Sequence, residues 1–113
     1  MLTVDCLKEL GADTEEGLTR CMNNEAFYLR MVGMGLKDAG FGKLEQALGE
    51  GDLDAAFEAA HALKGIMANL SLTPIFEPVS EITEMLRRRE EADYQPLLNQ
   101  SLSERDRFAV KMD

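Results

Sequence analysis

Asp52-Leu53-Asp54-Ala55-Ala56-Phe57-Glu58-Ala59-Ala60-His61-Ala62-Leu63-Lys64-Gly65-Ile66-Met67-Ala68-Asn69-Leu70 is the stretch that decides how this chain folds. At 100° per residue, Leu53, Ala56, Phe57, Ala60, Leu63, Ile66, Met67 and Leu70 gather on one broad apolar arc, which predicts an amphipathic helix facing a core. Asp52 supplies the short carboxylate of an N-cap. His61, the only histidine in the chain, lies roughly 140° from the middle of that arc, beside Lys64, Gly65 and Ala68 on the following turns. Glycine within a helix costs about 1 kcal/mol relative to alanine, and close approach of another molecule to the imidazole is a reason to keep Gly65.

Working outward, Gly49-Glu50-Gly51 ends the preceding helical spacing, and Leu72-Thr73-Pro74 is a connection short enough to force antiparallel neighbours. Upstream, Asn23 or Asn24 caps a helix whose apolar face is Phe27, Met31, Met34 and Leu36. Ala39-Gly40-Phe41-Gly42 interrupts it, so 24–49 reads as one interrupted arm. Downstream, Thr73 caps and Pro74 opens a helix with Val79, Ile82, Met85 and Leu86 buried, its opening turns distorted by Pro78. Asp93 caps a last helix with Leu97, Leu98, Leu102, Phe108 and Val110 on its apolar side. Residues 3–10, ended by Gly11, and a second short helix through Cys21, started by Asp13 with Glu16 as a capping box, precede all of this.

Four arms with one apolar stripe each can bury those stripes together only as a bundle. The reading is therefore all-α: an up-and-down antiparallel four-helix bundle over 23–113, with short additional N-terminal helices in 1–22 packed on it. A chain of 113 residues, 45% hydrophobic but only 6% aromatic, fits one such helical domain.

A net charge of −9 from 21 acidic and 12 basic side chains argues against a nucleic-acid partner, whose affinity rests on Lys and Arg contacts to phosphates. The one basic cluster, Arg87-Arg88-Arg89, sits at a helix end and complements its dipole. Cys6 and Cys21 lack the close pairing of a zinc site and read as free thiols. No window nears the roughly 18 apolar residues of a membrane span, and the N-terminus has no signal-peptide pattern, so a cytoplasmic protein is expected.

His61 admits several roles. A structural histidine would sit in the core, whereas this one lies outside the apolar arc. Glu58-Ala59-Ala60-His61 matches the Glu-x-x-His element of di-iron bundles, but such sites need a second histidine, and Lys64 would repel a cation. A hydrolytic base needs a nucleophile and an orienting partner that this helix does not supply. Neutral imidazole is a good phosphoryl acceptor, and Lys64 could offset the charge that arrives with the phosphate.

His61-Ala62-Leu63-Lys64-Gly65, followed by Ala68-Asn69-Leu70, resembles the His-x-Leu-Lys-Gly signature of histidine-containing phosphotransfer (HPt) domains of bacterial two-component phosphorelays. The acidic helical chain, Gly51-Asp52 ahead of the histidine helix and the Thr73-Pro74 pair are similar to the family as well. One departure is Ser71, where many members have glycine. The resemblance implies that His61 is phosphorylated, Lys64 is the phosphate-side cation and Gly65 gives clearance to a receiver domain. The docking face would be Asp54, Glu58, Lys64, Gly65, Ala68 and Leu72. The protein would be a phosphocarrier without kinase activity, a monomer that holds no metal or other cofactor of its own. Its partners would be receiver domains of response regulators and hybrid kinases, which supply the divalent metal. A helical adaptor that binds a signalling partner without phosphotransfer is the alternative.

Overall fold

The structure, a computed structural model, describes residues 1–112; Asp113, the last residue of the expected 23–113 segment, lies outside the described residues. The first three helices and the fifth begin where a short polar side chain accepts from the free N–H groups of the first turn. Thr3 Oγ1 accepts from Cys6 N at 3.0 Å to start α1 (Val4–Glu9). Asp13 Oδ1 accepts from Glu16 N at 3.1 Å to start α2 (Thr14–Arg20), and Asn24 Oδ1 from Phe27 N at 3.1 Å to start α3 (Glu25–Leu36). Then come α4 (Gly40–Glu50), α5 (Leu53–Asn69), α6 (Thr73–Arg87) and α7 (Gln95–Ala109), the last continuing into a 3-10 turn, Val110–Met112. Asp52 Oδ1 caps α5 through Ala55 N at 3.1 Å. Among the described residues there is no strand.

Helices α4 to α7 form the bundle. Gly51, at φ +71°, turns α4 straight into α5, and the most extensive packing is between sequential neighbours α4/α5, α5/α6 and α6/α7. Arg105 of α7 lays its guanidinium 5.1 Å from the Phe41 ring of α4, joining first helix to last. The core these helices enclose is aliphatic: Leu44, Ala60, Leu63, Met67, Ile75, Val79 and Ile82 are fully buried with Phe108. Each of these side chains larger than alanine gains roughly 1.5–3 kcal/mol on burial, which makes the stripes, not helix propensity, the main source of stability.

The stretch 24–49 is two helices parted at Lys37-Asp38-Ala39, where Asp38 Oδ2 accepts from Gly40 N at 2.8 Å. The face of α3 differs from the expected one. Tyr28, Val32, Gly35 and Leu36 are buried, while Met34 is 62% exposed and Phe27 39%. Gly35 is the reason: a Cβ there would stand 2.5 Å from Leu70 Cδ1, so the glycine is the point where α3 lies against α5 rather than a break in the face. Tyr28 completes this contact by donating its hydroxyl to the Leu70 carbonyl at 2.8 Å, which satisfies an orphan acceptor at the end of α5. Gly17 of α2 in turn lies against the Tyr28 ring.

Pro78 leaves α6 continuous from Thr73 to Arg87; the bond it cannot make would go to Pro74, in the helix's own first turn. Three further expectations are corrected. Thr73 is the first residue of α6 rather than its cap, and Leu72 holds the cap position without a side-chain bond. Tyr94 is the cap residue of α7, with Asp93 Oδ1 accepting from Gln95 N at 3.0 Å one step earlier. Val110 falls in the 3-10 turn, where the change of helical period turns it outward.

Candidate functional site

The buried side of α5 is Ala56, Ala60, Leu63 and Met67. His61 and Gly65 are exposed on the opposite side, with Asp54 and Glu58 on the preceding turns and half-buried Ala68 on the turn after. From Asp54 to Ala68 this strip runs about 21 Å at the helical rise of 1.5 Å per residue. A Cβ on Gly65 would meet nothing within 4 Å, so the packing within the chain gives no reason for glycine at that position.

Phe57, one turn before His61, is half-buried and stacks its ring on the imidazole, with centroids 5.4 Å apart and planes 21° from parallel. The Arg87 guanidinium of α6 lies 5.1 Å from the centre of the same phenyl ring. Arg87 is held by Glu84, Nε to Oε1 at 3.2 Å, and the other oxygen of Glu84 accepts from Lys64 Nζ at 3.1 Å. Glu84 therefore ties together Lys64 of α5 and Arg87 of α6. Its carboxyl is held below the usual carboxylate range, first by the Lys64 hydrogen bond and then by Arg87.

Phe57, Glu84 and Arg87 are contacts that the sequence reading missed. Phe57 was placed in the apolar arc, although an aromatic four residues before a histidine is a helical neighbour pair. Lys64, the expected phosphate-side cation, is paired with Glu84 in the fold.

Leu72 does not belong to the docking face, because it is fully buried. Helix α5 ends in a Schellman turn: Ser71 N donates to Ala68 O at 3.1 Å and Leu72 N to Met67 O at 3.0 Å, with Ser71 left-handed at φ +57°. That turn sends the residue after it inward, as the motif's apolar contact requires. Ser71 Oγ also donates to Glu16 Oε1 at 2.8 Å, and Arg20 Nη1 donates to Asn69 Oδ1 at 3.1 Å, fixing α2 to the end of α5.

The basic cluster is engaged by carboxylates throughout. Arg88 pairs with Glu90 at 2.8 Å and Arg89 with Asp54. Arg89 itself, at φ +52°, is the left-handed residue that ends α6. Cys6 and Cys21 are free thiols. Among the described residues no three His, Cys, Asp or Glu side chains come together as a metal site requires, and no helix is long and apolar enough to cross a membrane.

The single histidine therefore stands exposed on the second helix of a four-helix bundle, on the side away from the core. The family model of the Hpt domain matches residues 39–109, from the start of α4 to the end of α7, and the chain belongs to this family. Hpt domains are histidine phosphocarriers of phosphorelays and interact with receiver domains. Neither a search of curated proteins nor one of solved structures returned a match.

Proposed function

We propose that His61 accepts a phosphoryl group from an aspartyl phosphate on one receiver domain and passes it to an aspartate on another. The observation that carries this reading is an exposed imidazole opposite the core of α5, next to open space over Gly65, inside the segment matched to the family.

The unprotonated ring nitrogen attacks phosphorus. An N–P bond forms as the acyl O–P bond breaks, the aspartate leaves as carboxylate, and the imidazole's proton stays on its second nitrogen. In the onward step a carboxylate oxygen of the second receiver attacks phosphorus and neutral imidazole leaves. Transferred phosphoryl groups spread negative charge over three oxygens, and Lys64 would meet that charge by exchanging Glu84 for a phosphate oxygen. The divalent metal belongs to the receiver in this scheme. The chain itself supplies a nucleophile and a docking face of Asp54, Glu58, Lys64, Gly65 and Ala68, without kinase activity of its own.

The test is incubation with a receiver phosphorylated in advance, using the wild-type protein and His61→Gln. Acid-labile phosphate is expected on the wild type and none on the variant. Equal uptake by both would overturn the proposal, and so would binding of the receiver with no phosphate ever transferred.

A further inference from the structure

We infer that Phe57 is a positioning residue for phosphoryl transfer: its ring sets the orientation of the His61 imidazole. The inference rests on the phosphocarrier reading and adds a residue that the reading did not use.

An exposed histidine side chain turns freely about two torsions, and only some of its orientations aim a ring nitrogen along the line of attack. His61 has no hydrogen-bonding partner among the described contacts that would select one. What it has is a face-to-face neighbour, the Phe57 ring, 5.4 Å away and 21° from parallel. Stacking occupies one face of the imidazole and leaves the nitrogen-bearing edge clear of the phenyl. Such ring pairs favour the stacked state by a factor of about 2–10 over the unstacked ones.

The phenyl ring is itself held. Leu53 and Leu86 line the groove between α5 and α6 with Phe57, and Arg87 lies over the ring at 5.1 Å while bonded to Glu84. The order of support is thus Glu84 to Arg87 to Phe57 to His61, running from α6 to the nucleophile on α5. Phe57 touches neither phosphate nor receiver in this scheme; it acts only through the imidazole.

The experiment compares wild type, His61→Gln, Phe57→Leu, Phe57→Tyr and Arg87→Gln in single-turnover transfer from a phosphorylated receiver, with the receiver concentration varied. Because His61 is the only histidine, its ring protons can be followed by NMR in the same proteins. For Phe57→Leu the maximal rate is expected to fall about 2–10-fold with the half-saturating receiver concentration unchanged. The upfield ring-current shift of the His61 protons should be lost with it. Phe57→Tyr, which keeps the ring, should restore both. Wild-type maximal rate in Phe57→Leu, or a loss confined to the half-saturating concentration, overturns the inference and leaves the phosphocarrier reading standing. Failure of the wild type to gain more phosphate than His61→Gln overturns both. If Phe57→Leu does not fold, Arg87→Gln, altered at an exposed position, decides: shift and maximal rate should fall together, and either one remaining at the wild-type value overturns the inference.

Discussion

Lys64 and Glu84 face each other across the α5–α6 contact, Nζ to Oε2 at 3.1 Å, so the cation one helical turn from the candidate nucleophile already has a carboxylate partner. In the proposed scheme a phosphate arriving at His61 would compete with Glu84 for that ammonium. Glu84→Gln removes the competitor's charge and should raise the equilibrium fraction of phosphorylated protein roughly two- to five-fold, the range of an exposed ion pair. Phosphotransfer equilibrium against one receiver, measured for both proteins, is the check; a fraction equal to wild type would show that Lys64 does not meet the phosphate.

The same pair gives a pH dependence. Glu84 has a lowered folded-state carboxyl, so its contribution to stability is present above the unfolded value of 4.5 and is lost as pH falls through the lower folded one. Thermal melts of wild type and Glu84→Gln should therefore converge on acidification below about pH 4.5. Curves that stay parallel down to pH 2 would mean that the pair contributes nothing to the fold.

Gly65 separates stability from function. A Cβ there meets no atom within 4 Å, so Gly65→Ala should stabilise α5 by about 0.5–1 kcal/mol through helix propensity alone. Gly65→Gln should be at least as stable as the glycine form yet transfer phosphate more slowly, because in the proposed docking the longer chain would stand where the receiver comes. Denaturant melts beside transfer rates test this, and an unchanged rate in Gly65→Gln would remove the clearance role.

Where the sequence was legible, the signal was local. Asp13, Asn24 and Asp52 accept from their own first turns, and a cap needs nothing from the rest of the chain. The arc of α5 was legible too, because Leu63, Met67 and the small Ala56 and Ala60 repeat at the helical period. The face of α3 was not, since Gly35 looks like a break in sequence and becomes a contact only when Leu70 arrives from another helix. Leu72 was misread for a related reason. Continuing the α5 period past Asn69 puts it on the surface, whereas a left-handed Ser71 turns it into the core. Glu84 lies 20 residues from Lys64 and escapes any reading confined to one helix.

Tyr28 joins α3 to the end of α5, and burial pushes its hydroxyl up to about 12. A raised value means that the folded state holds the proton longer than the unfolded one. Its stabilisation is complete below the unfolded value of 10.0 and is lost as pH rises from there through about 12. Tyr28→Phe leaves the Leu70 carbonyl without this donor and should cost about 1–2 kcal/mol at neutral pH. The gap between variant and wild type should narrow above pH 10. A gap that is constant with pH would place the hydroxyl outside the hydrogen bond.

Ser71 carries two opposed effects. At φ +57° a residue with a Cβ is strained by about 1–2 kcal/mol, which glycine would relieve, while its hydroxyl donates to Glu16 at 2.8 Å and ties α2 to the bundle. Ser71→Ala keeps the strain and loses the bond, so it should destabilise by about 1 kcal/mol. Ser71→Gly loses the bond but relaxes the turn, and should lie within about 0.5 kcal/mol of wild type or above it. Urea melts of the two variants decide between the terms. Alanine more stable than glycine would mean that the left-handed turn is not adopted at residue 71, and the inward course of Leu72 would then need another cause.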